Sequence, residues 1–187
     1  MRSRRCKRSA REGKPYLAAP GGLASNGRRR KPERPVQLAD KVLDGAGATT
    51  ALGAALAPAL KAGDVVRLEG DLGAGKSTLA RAIIAALAGI VEAPSPTFTL
   101  VETYETAHFA LWHFDLYRLD AAADVWELGL EEALDGGVVL IEWPERADAI
   151  LPDDALTVRL EIAGVGRRAK ILGGENWRAR LHNAGIA

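Results

Sequence analysis

Apolar and polar positions along this chain follow two periods, and the switches between them mark its elements. "VVRLE" (65–69) is a short apolar run of strand length. A glycine-rich turn follows, and behind it "KSTLARAIIAALAG" sets Leu79, Ile83 and Leu87 at helical spacing, with Gly89 as a stop. Upstream, "PVQLAD" (35–40) predicts a short opening strand. "ATTALGAALAPALK" (48–61) puts Leu52, Leu56 and Leu60 on one helix face, with Pro58 weakening its last turns. Downstream, Pro94 and Pro96 make "APSPTFTLVETY" (93–104) begin as a loop before it becomes extended. "ALWHFDLYRL" (110–119) alternates as a strand as far as Asp115. "AADVWELGLEEAL" (122–134) predicts a helix interrupted at Gly129, with Trp126 and Leu130 facing the core. "GVVLIEWPE" (137–145) is an apolar strand ending in an acid, and "ALTVRLEI" with "RRAKIL" predicts an antiparallel hairpin. Strands alternating with helices over the first two-thirds predict an α/β fold. Its sheet is mostly parallel, with antiparallel strands at the C-terminal end.

Composition changes this picture only at the N-terminus. The 187 residues suit one domain, and no apolar run reaches membrane-spanning length. "MRSRRCKRSAREGK" is positive but has no apolar segment behind it, so it does not read as a secretory signal. A single cysteine, Cys6, allows neither an internal disulfide nor a thiolate metal site, which suits a reducing cytoplasm. Residues 1–34 hold 12 Lys/Arg against 2 acids, a net +10, whereas residues 35–187 hold 13 against 22, a net −9. The basic head is also rich in Gly, Pro and Ser and carries too little apolar surface to offset its ordering entropy. Residues 1–34 are therefore expected to be a disordered extension, and 35–187 the folded domain. The extension reads either as an RNA- or partner-binding arm or as a dispensable segment.

The candidate chemistry centres on the turn. Gly70-Asp71-Leu72-Gly73-Ala74-Gly75-Lys76-Ser77, followed by Thr78, fits G-x-x-x-x-G-K-[ST] between a strand and a helix. Glycines there let backbone N–H groups converge on phosphate oxygens, and the helix start adds positive potential. Lys76 is placed to reach β- and γ-phosphates, and the Ser77 hydroxyl to bind Mg²⁺. Such a site needs an acid at the end of a neighbouring strand. "VVLIE" supplies Glu142, with direct and water-mediated metal contact both open. Asp115, ending "LWHFD", is a second candidate, for the outer metal shell or the attacking water. It reads equally well as a helix cap or a partner for Arg118. The N-K-x-D pattern that reads guanine is absent, which favours ATP.

From about residue 36 to 175 the chain resembles the TsaE family, formerly YjeE. "GDLGAGKST", "SPTFTLVETY", "HFDLYRL", "ELGLEE" and "IEWPER" carry the likeness in that order, followed by a terminal strand pair with "GRRAKI". The resemblance implies a P-loop NTPase-like three-layer domain that binds ATP and slowly hydrolyses it with Mg²⁺. It implies work in the tRNA threonylcarbamoyladenosine pathway beside TsaB and TsaD. That pair transfers the threonylcarbamoyl group to N6 of the adenosine beside the anticodon. Contact with tRNA is then indirect, through the complex, and neither membrane nor DNA is an expected partner. By position, Lys76 and Ser77 serve phosphate and Mg²⁺, Glu142 joins the metal site and Asp115 the catalytic acids. Trp143 lies beside the nucleotide or serves as a core or interface aromatic. Thr49, with Thr50 next to it, matches a threonine near the adenine. Ser95, Thr97 or Thr99 falls where a γ-phosphate would be sensed. His113, Phe98 and Tyr104 read as packing residues. Ser77 stands where threonine is usual and offers the same hydroxyl, and the basic head lies outside the family core. Two rival classes share the same loop: a small-molecule kinase, and a basic RNA-binding module with a vestigial nucleotide site.

Overall fold

The computed structural model describes residues 35–96 and 99–187. The expectation for the 1–34 extension, and the readings of Thr97 and Phe98, lie outside the described residues. The chain runs β1 (Val36–Leu43), α1 (Ala46–Leu56), β2 (Val65–Glu69), α2 (Lys76–Ala88), β3 (Val101–Glu105), β4 (Ala110–Asp115), α3 (Leu130–Leu134), β5 (Val138–Glu142), β6 (Leu156–Ala163), β7 (Gly166–Gly173) and α4 (Glu175–Asn183). Short 3₁₀ turns link several of these, including Ala57–Ala59, Ala122–Trp126 and Pro144–Arg146.

The strands form one sheet in the order β1-β7-β6-β2-β5-β4-β3. Its centre, β6-β2-β5-β4, is parallel throughout. The expected antiparallel C-terminal hairpin pairs β6 with β7, and β1 joins β7 antiparallel, so the first strand closes against the last. A second antiparallel edge arises from β3, which returns against β4 after the proline-rich loop. Strand β5 shows why the parallel centre forms. All its residues are buried, and they alternate between two cores, Val138 and Leu140 on one face, Val139 and Ile141 on the other. The first core is shared with α1, α2 and α4, and the second with α3 and the turns near it. The result is three layers, helices covering both faces of the sheet.

Two helix expectations need correction. The 48–61 helix ends at Leu56, and Pro58 sits in a 3₁₀ turn, because proline has no N–H to continue the α-helical ladder. The 122–134 helix is two pieces, a 3₁₀ turn and the short α3, separated by Gly129 at φ 87°. The tighter 3₁₀ winding takes Trp126 off the core-facing side, leaving it 45% exposed, whereas Val125 and Leu130 are fully buried. Helix α4 has no strong apolar stripe and was not expected. It docks through Trp177 and Leu181 four residues apart, and the Trp177 Nε1–H donates to Asp154 O at 2.9 Å.

Helix α2 is held close against α1. An added Cβ on Gly53 would lie 2.6 Å from the Ala82 Cβ and 2.8 Å from Leu79 O, so only glycine lets the helices approach this far. This packing fixes the direction in which the start of α2 points.

Candidate functional site

Strands β2, β5 and β4 end level with one another, because Leu68 and Asp115 both pair with Glu142 across the parallel register. Parallel sheets gather ligands at this carboxyl edge. From β2 the chain turns at Gly70, at φ 137°, with room for no side chain, since a Cβ would sit 2.3 Å from Leu160 O. The Ala74 N–H donates to Asp71 O at 3.1 Å and closes the turn, and α2 begins at Lys76. The start of α2 has no acid in its first turn, and among the described residues no side chain caps its leading N–H groups.

These groups face a cavity of about 470 Å³ whose wall includes Gly73, Gly75, Lys76, Ser77, Thr78 and Trp143. Glu142, 2% exposed, organises the inner wall. Its Oε2 accepts from the Ser77 hydroxyl at 2.8 Å, and its Oε1 lies 2.9 Å from the His113 Nε2. His113 is completely buried, and its Nδ1 has no partner among the described residues. A hydrogen on Nδ1 would be stranded, so Nε2 carries it and donates to Glu142. Both carboxylate oxygens are thereby committed, and the side chain is pinned in one orientation.

Lys76, 4% exposed, folds back to donate to Gly70 O at 2.6 Å and Asp71 O at 3.0 Å. Its Nζ sits 3.7 Å from the centre of the Trp143 ring. Burial pulls its pKa below the usual lysine range, and the surrounding Glu142, Glu145, Asp115 and Asp71 carboxylates oppose that shift. Trp143 itself has φ 59°, a left-handed conformation that costs a non-glycine residue about 1 kcal/mol. It leans on Tyr117 at 4.8 Å between ring centres. Asp115 lines the same cavity, and its Oδ1 accepts the Tyr117 N–H at 3.1 Å. Burial raises its pKa; the Tyr117 N–H opposes this and the Glu142 carboxylate reinforces it.

The structure thus brings Gly73, Gly75, Lys76, Ser77, Thr78, Asp115, Glu142 and Trp143 to one cavity. Leu72 also borders it, 74% exposed, and Gly70, Asp71 and Ala74 build the loop behind. Thr49 is elsewhere: it is buried in α1, bonds to Gly45 O at 3.4 Å, and places its methyl beneath Gly75. Thr50 is exposed and bonds within its own helix. Ser95 and Thr99 do not line the cavity, and Thr99 bonds to Glu102 instead.

Residues that the motifs did not single out also contribute. Arg81 lies on the cavity wall one turn beyond Ser77, a helical spacing legible in the sequence. Tyr117 and Arg118 arrive from the turn after β4. Arg167, from the β6–β7 hairpin, reaches the loop from behind, donating to Ala74 O and Gly73 O. Among the described residues no group of three or more His, Cys, Asp or Glu is arranged to hold a metal ion. Ser77 and Glu142 are the oxygen pair available to a hard cation. A cation held by one or two side chains and otherwise by water and phosphate fits that pair, as magnesium usually does.

A strand, an uncapped helix start and a glycine loop between them, with an acid on the adjacent parallel strand, define a P-loop NTPase-like fold. The family profile described as "Threonylcarbamoyl adenosine biosynthesis protein TsaE" matches residues 43–169, and the chain belongs to that family. Relatives described as tRNA threonylcarbamoyladenosine biosynthesis protein TsaE include one from Rickettsia felis, 44% identical over 121 residues, covering 64% of this chain and 71% of the relative. Another, from Bacillus subtilis, is 37% identical over 121 residues, covering 64% and 75%. The crystal structure of Bacillus subtilis YdiB superposes with a TM-score of 0.68 at 30% identity, over 82% of this chain and 97% of that one.

Proposed function

We propose that this chain is the Mg²⁺-dependent ATPase subunit of the system that makes N6-threonylcarbamoyladenosine in tRNA, supporting repeated turnover of a TsaB–TsaD transferase. One observation carries the reading. The uncapped start of α2 opens onto a cavity in which the Ser77 hydroxyl and the buried Glu142 carboxylate stand 2.8 Å apart.

The residues divide the work. Backbone N–H groups of the loop and the start of α2 bind phosphate oxygens. Lys76 exchanges the carbonyls of Gly70 and Asp71 for phosphate, which restores to its ammonium the counter-charge that burial withholds. Ser77 commits its hydrogen to Glu142, which leaves its lone pairs for the cation. Magnesium, when bound, supplies positive charge for the β- and γ-phosphates. Asp115, with its raised pKa, accepts a proton more readily than an ordinary aspartate and is placed to act on attacking water. Trp143 covers Lys76 from the side and limits water there. Nucleotide binding energy is spent on how the chain docks to its partners, so hydrolysis by the chain alone is weak. No helix among the described residues is long and apolar enough to cross a membrane, and we place the work in the cytoplasm, with tRNA.

The test is reconstitution of the modification on tRNA with TsaB and TsaD, with and without this chain. Multiple turnovers are expected only with it, and Lys76→Ala is expected to abolish them together with ATP binding. Wild-type modification by Lys76→Ala would overturn an ATP-driven role. Transfer of γ-phosphate to a metabolite would instead identify a kinase. Tight tRNA binding by the chain alone, lost steeply with salt, would identify an RNA-binding module.

A further inference from the structure

Arg167 is the second residue of β7, beside the tip of the β6–β7 hairpin, far from the loop in sequence but against it in space. Its Nε donates to Ala74 O at 3.1 Å, its Nη2 to Gly73 O at 3.0 Å and its Nη1 to Gly166 O at 2.8 Å. The whole guanidinium fork is engaged by backbone carbonyls. No carboxylate among the described residues forms an ion pair with it, whereas its neighbour Arg168 is paired with Asp40. A guanidinium engaged only by carbonyls leaves its positive charge uncompensated behind the loop.

The direction of those bonds matters. A trans peptide plane points its C=O and the following N–H in opposite directions. With the Ala74 carbonyl drawn outward to Arg167, the Gly75 N–H is turned the other way, and Gly75 lines the cavity. With the Gly73 carbonyl drawn outward, the Ala74 N–H turns inward to Asp71 O and closes the turn. Ala74 is anchored in the core, but the part of the arc before it has few other restraints among the described residues. Leu72 is 74% exposed, and nothing lies within 4 Å of where a Gly73 Cβ would be.

We propose that Arg167 is a positioning residue for the bound phosphate chain, fixing the outer peptides of the loop so that their N–H groups face the ligand and adding its charge to the loop's potential. The proposal rests on the reading of the loop as a phosphate site. It also makes the β6–β7 hairpin, with Val165 fully exposed at its tip, a lever on that site.

The experiment titrates the full chain with inorganic tripolyphosphate and with ADP by calorimetry, and records the Tm of each ligand-free variant. Arg167→Ala is expected to weaken tripolyphosphate by about tenfold, in proportion to the loss of charge-assisted hydrogen bonds. Guanidinium ion added at constant ionic strength is expected to restore part of that loss in Arg167→Ala and none in the wild type. Arg167→Lys keeps the charge but not the fork, so it is expected to fall between wild type and Arg167→Ala. Unchanged affinity in Arg167→Ala, whatever its Tm, would overturn the proposal. If Arg167→Ala does not fold, wild-type affinity in Arg167→Lys would overturn it. Failure of the underlying reading looks different: wild type and Lys76→Ala would then bind tripolyphosphate equally.

Discussion

The site has an inner wall and an outer arc, and they are built on opposite principles. The inner wall stands on the ends of parallel strands. Glu142 and His113 are buried there, and each carboxylate oxygen has its own partner. The outer arc exposes Leu72 and Gly73 and is held at its inner end by the buried Ala74, while an arginine from the last hairpin grips the carbonyls of Gly73 and Ala74. The wall holds side chains rigidly where a cation and water would meet. The arc holds main-chain N–H groups where phosphate would meet them, and so it is the part that a distant element can influence. Damage to the wall should therefore appear in catalysis and folding, and damage to the arc in affinity.

The largest separation is expected from Glu142→Ala. It should lower hydrolysis by about a hundredfold while nucleotide still binds, the size usual for a lost catalytic carboxylate. It should also destabilise the fold by about 1–3 kcal/mol, because the His113 Nε2–H is then buried without an acceptor. Glu142→Gln should lie between, since its one carbonyl oxygen cannot accept from both His113 and Ser77. Single-turnover hydrolysis and chemical denaturation measure the two effects, and an unchanged hydrolysis rate would remove Glu142 from the chemistry.

Next come two glycines of the loop, Gly70 packed against the wall and Gly73 in the arc. Gly70→Ala pushes a methyl onto Leu160 O in backbone that cannot yield, and should cost on the order of 2 kcal/mol. Gly73→Ala meets open space, and its cost should be only that of a left-handed alanine, about 1 kcal/mol. Equal losses in Tm would show that the arc is packed as tightly as the wall.

The residues of the wall and of the loop were far more legible in the sequence than the contacts that hold them. An acid after an apolar run marks a strand end whatever the tertiary fold, so Glu142 and Asp115 could be read locally. The loop announces itself because glycines, a lysine and a hydroxyl stand in one eight-residue pattern. His113 was legible as a buried residue on its strand but not as the partner of Glu142, because a parallel register between distant strands is not written in either one. Arg167 was part of a terminal motif with no role, since its bonds go to carbonyls, which have no residue type to complement. Thr49, matched by position to a threonine near the adenine, is buried beneath the loop with its methyl against Gly75, a placement that its helical spacing alone does not give. Helix α4 is not legible because only Trp177 and Leu181 of its nine residues are buried. Trp126 departs from the core position its spacing suggests because Ala122–Trp126 winds as a 3₁₀ turn, not an α-helix.

The smallest effect, and the most specific, concerns Asp115. Its carboxyl titrates above the ordinary aspartate range in the folded chain, chiefly because it is buried. Between the ordinary value and the raised one, the folded chain holds a proton that the unfolded chain has released. Stability therefore falls as pH rises through that window, and at neutral pH the ionised carboxylate is a net cost to the fold. Asp115→Asn removes that cost while its Oδ1 can still accept the Tyr117 N–H. The variant should hydrolyse ATP more slowly, yet melt higher than wild type at pH 8 in the absence of nucleotide, by on the order of 2 °C. The gain should shrink on acidification and vanish near pH 4, where the wild-type carboxyl is itself protonated. A lower Tm at pH 8, or a gain that does not change with pH, would mean that Asp115 is held for stability and not kept charged, at a cost, for chemistry.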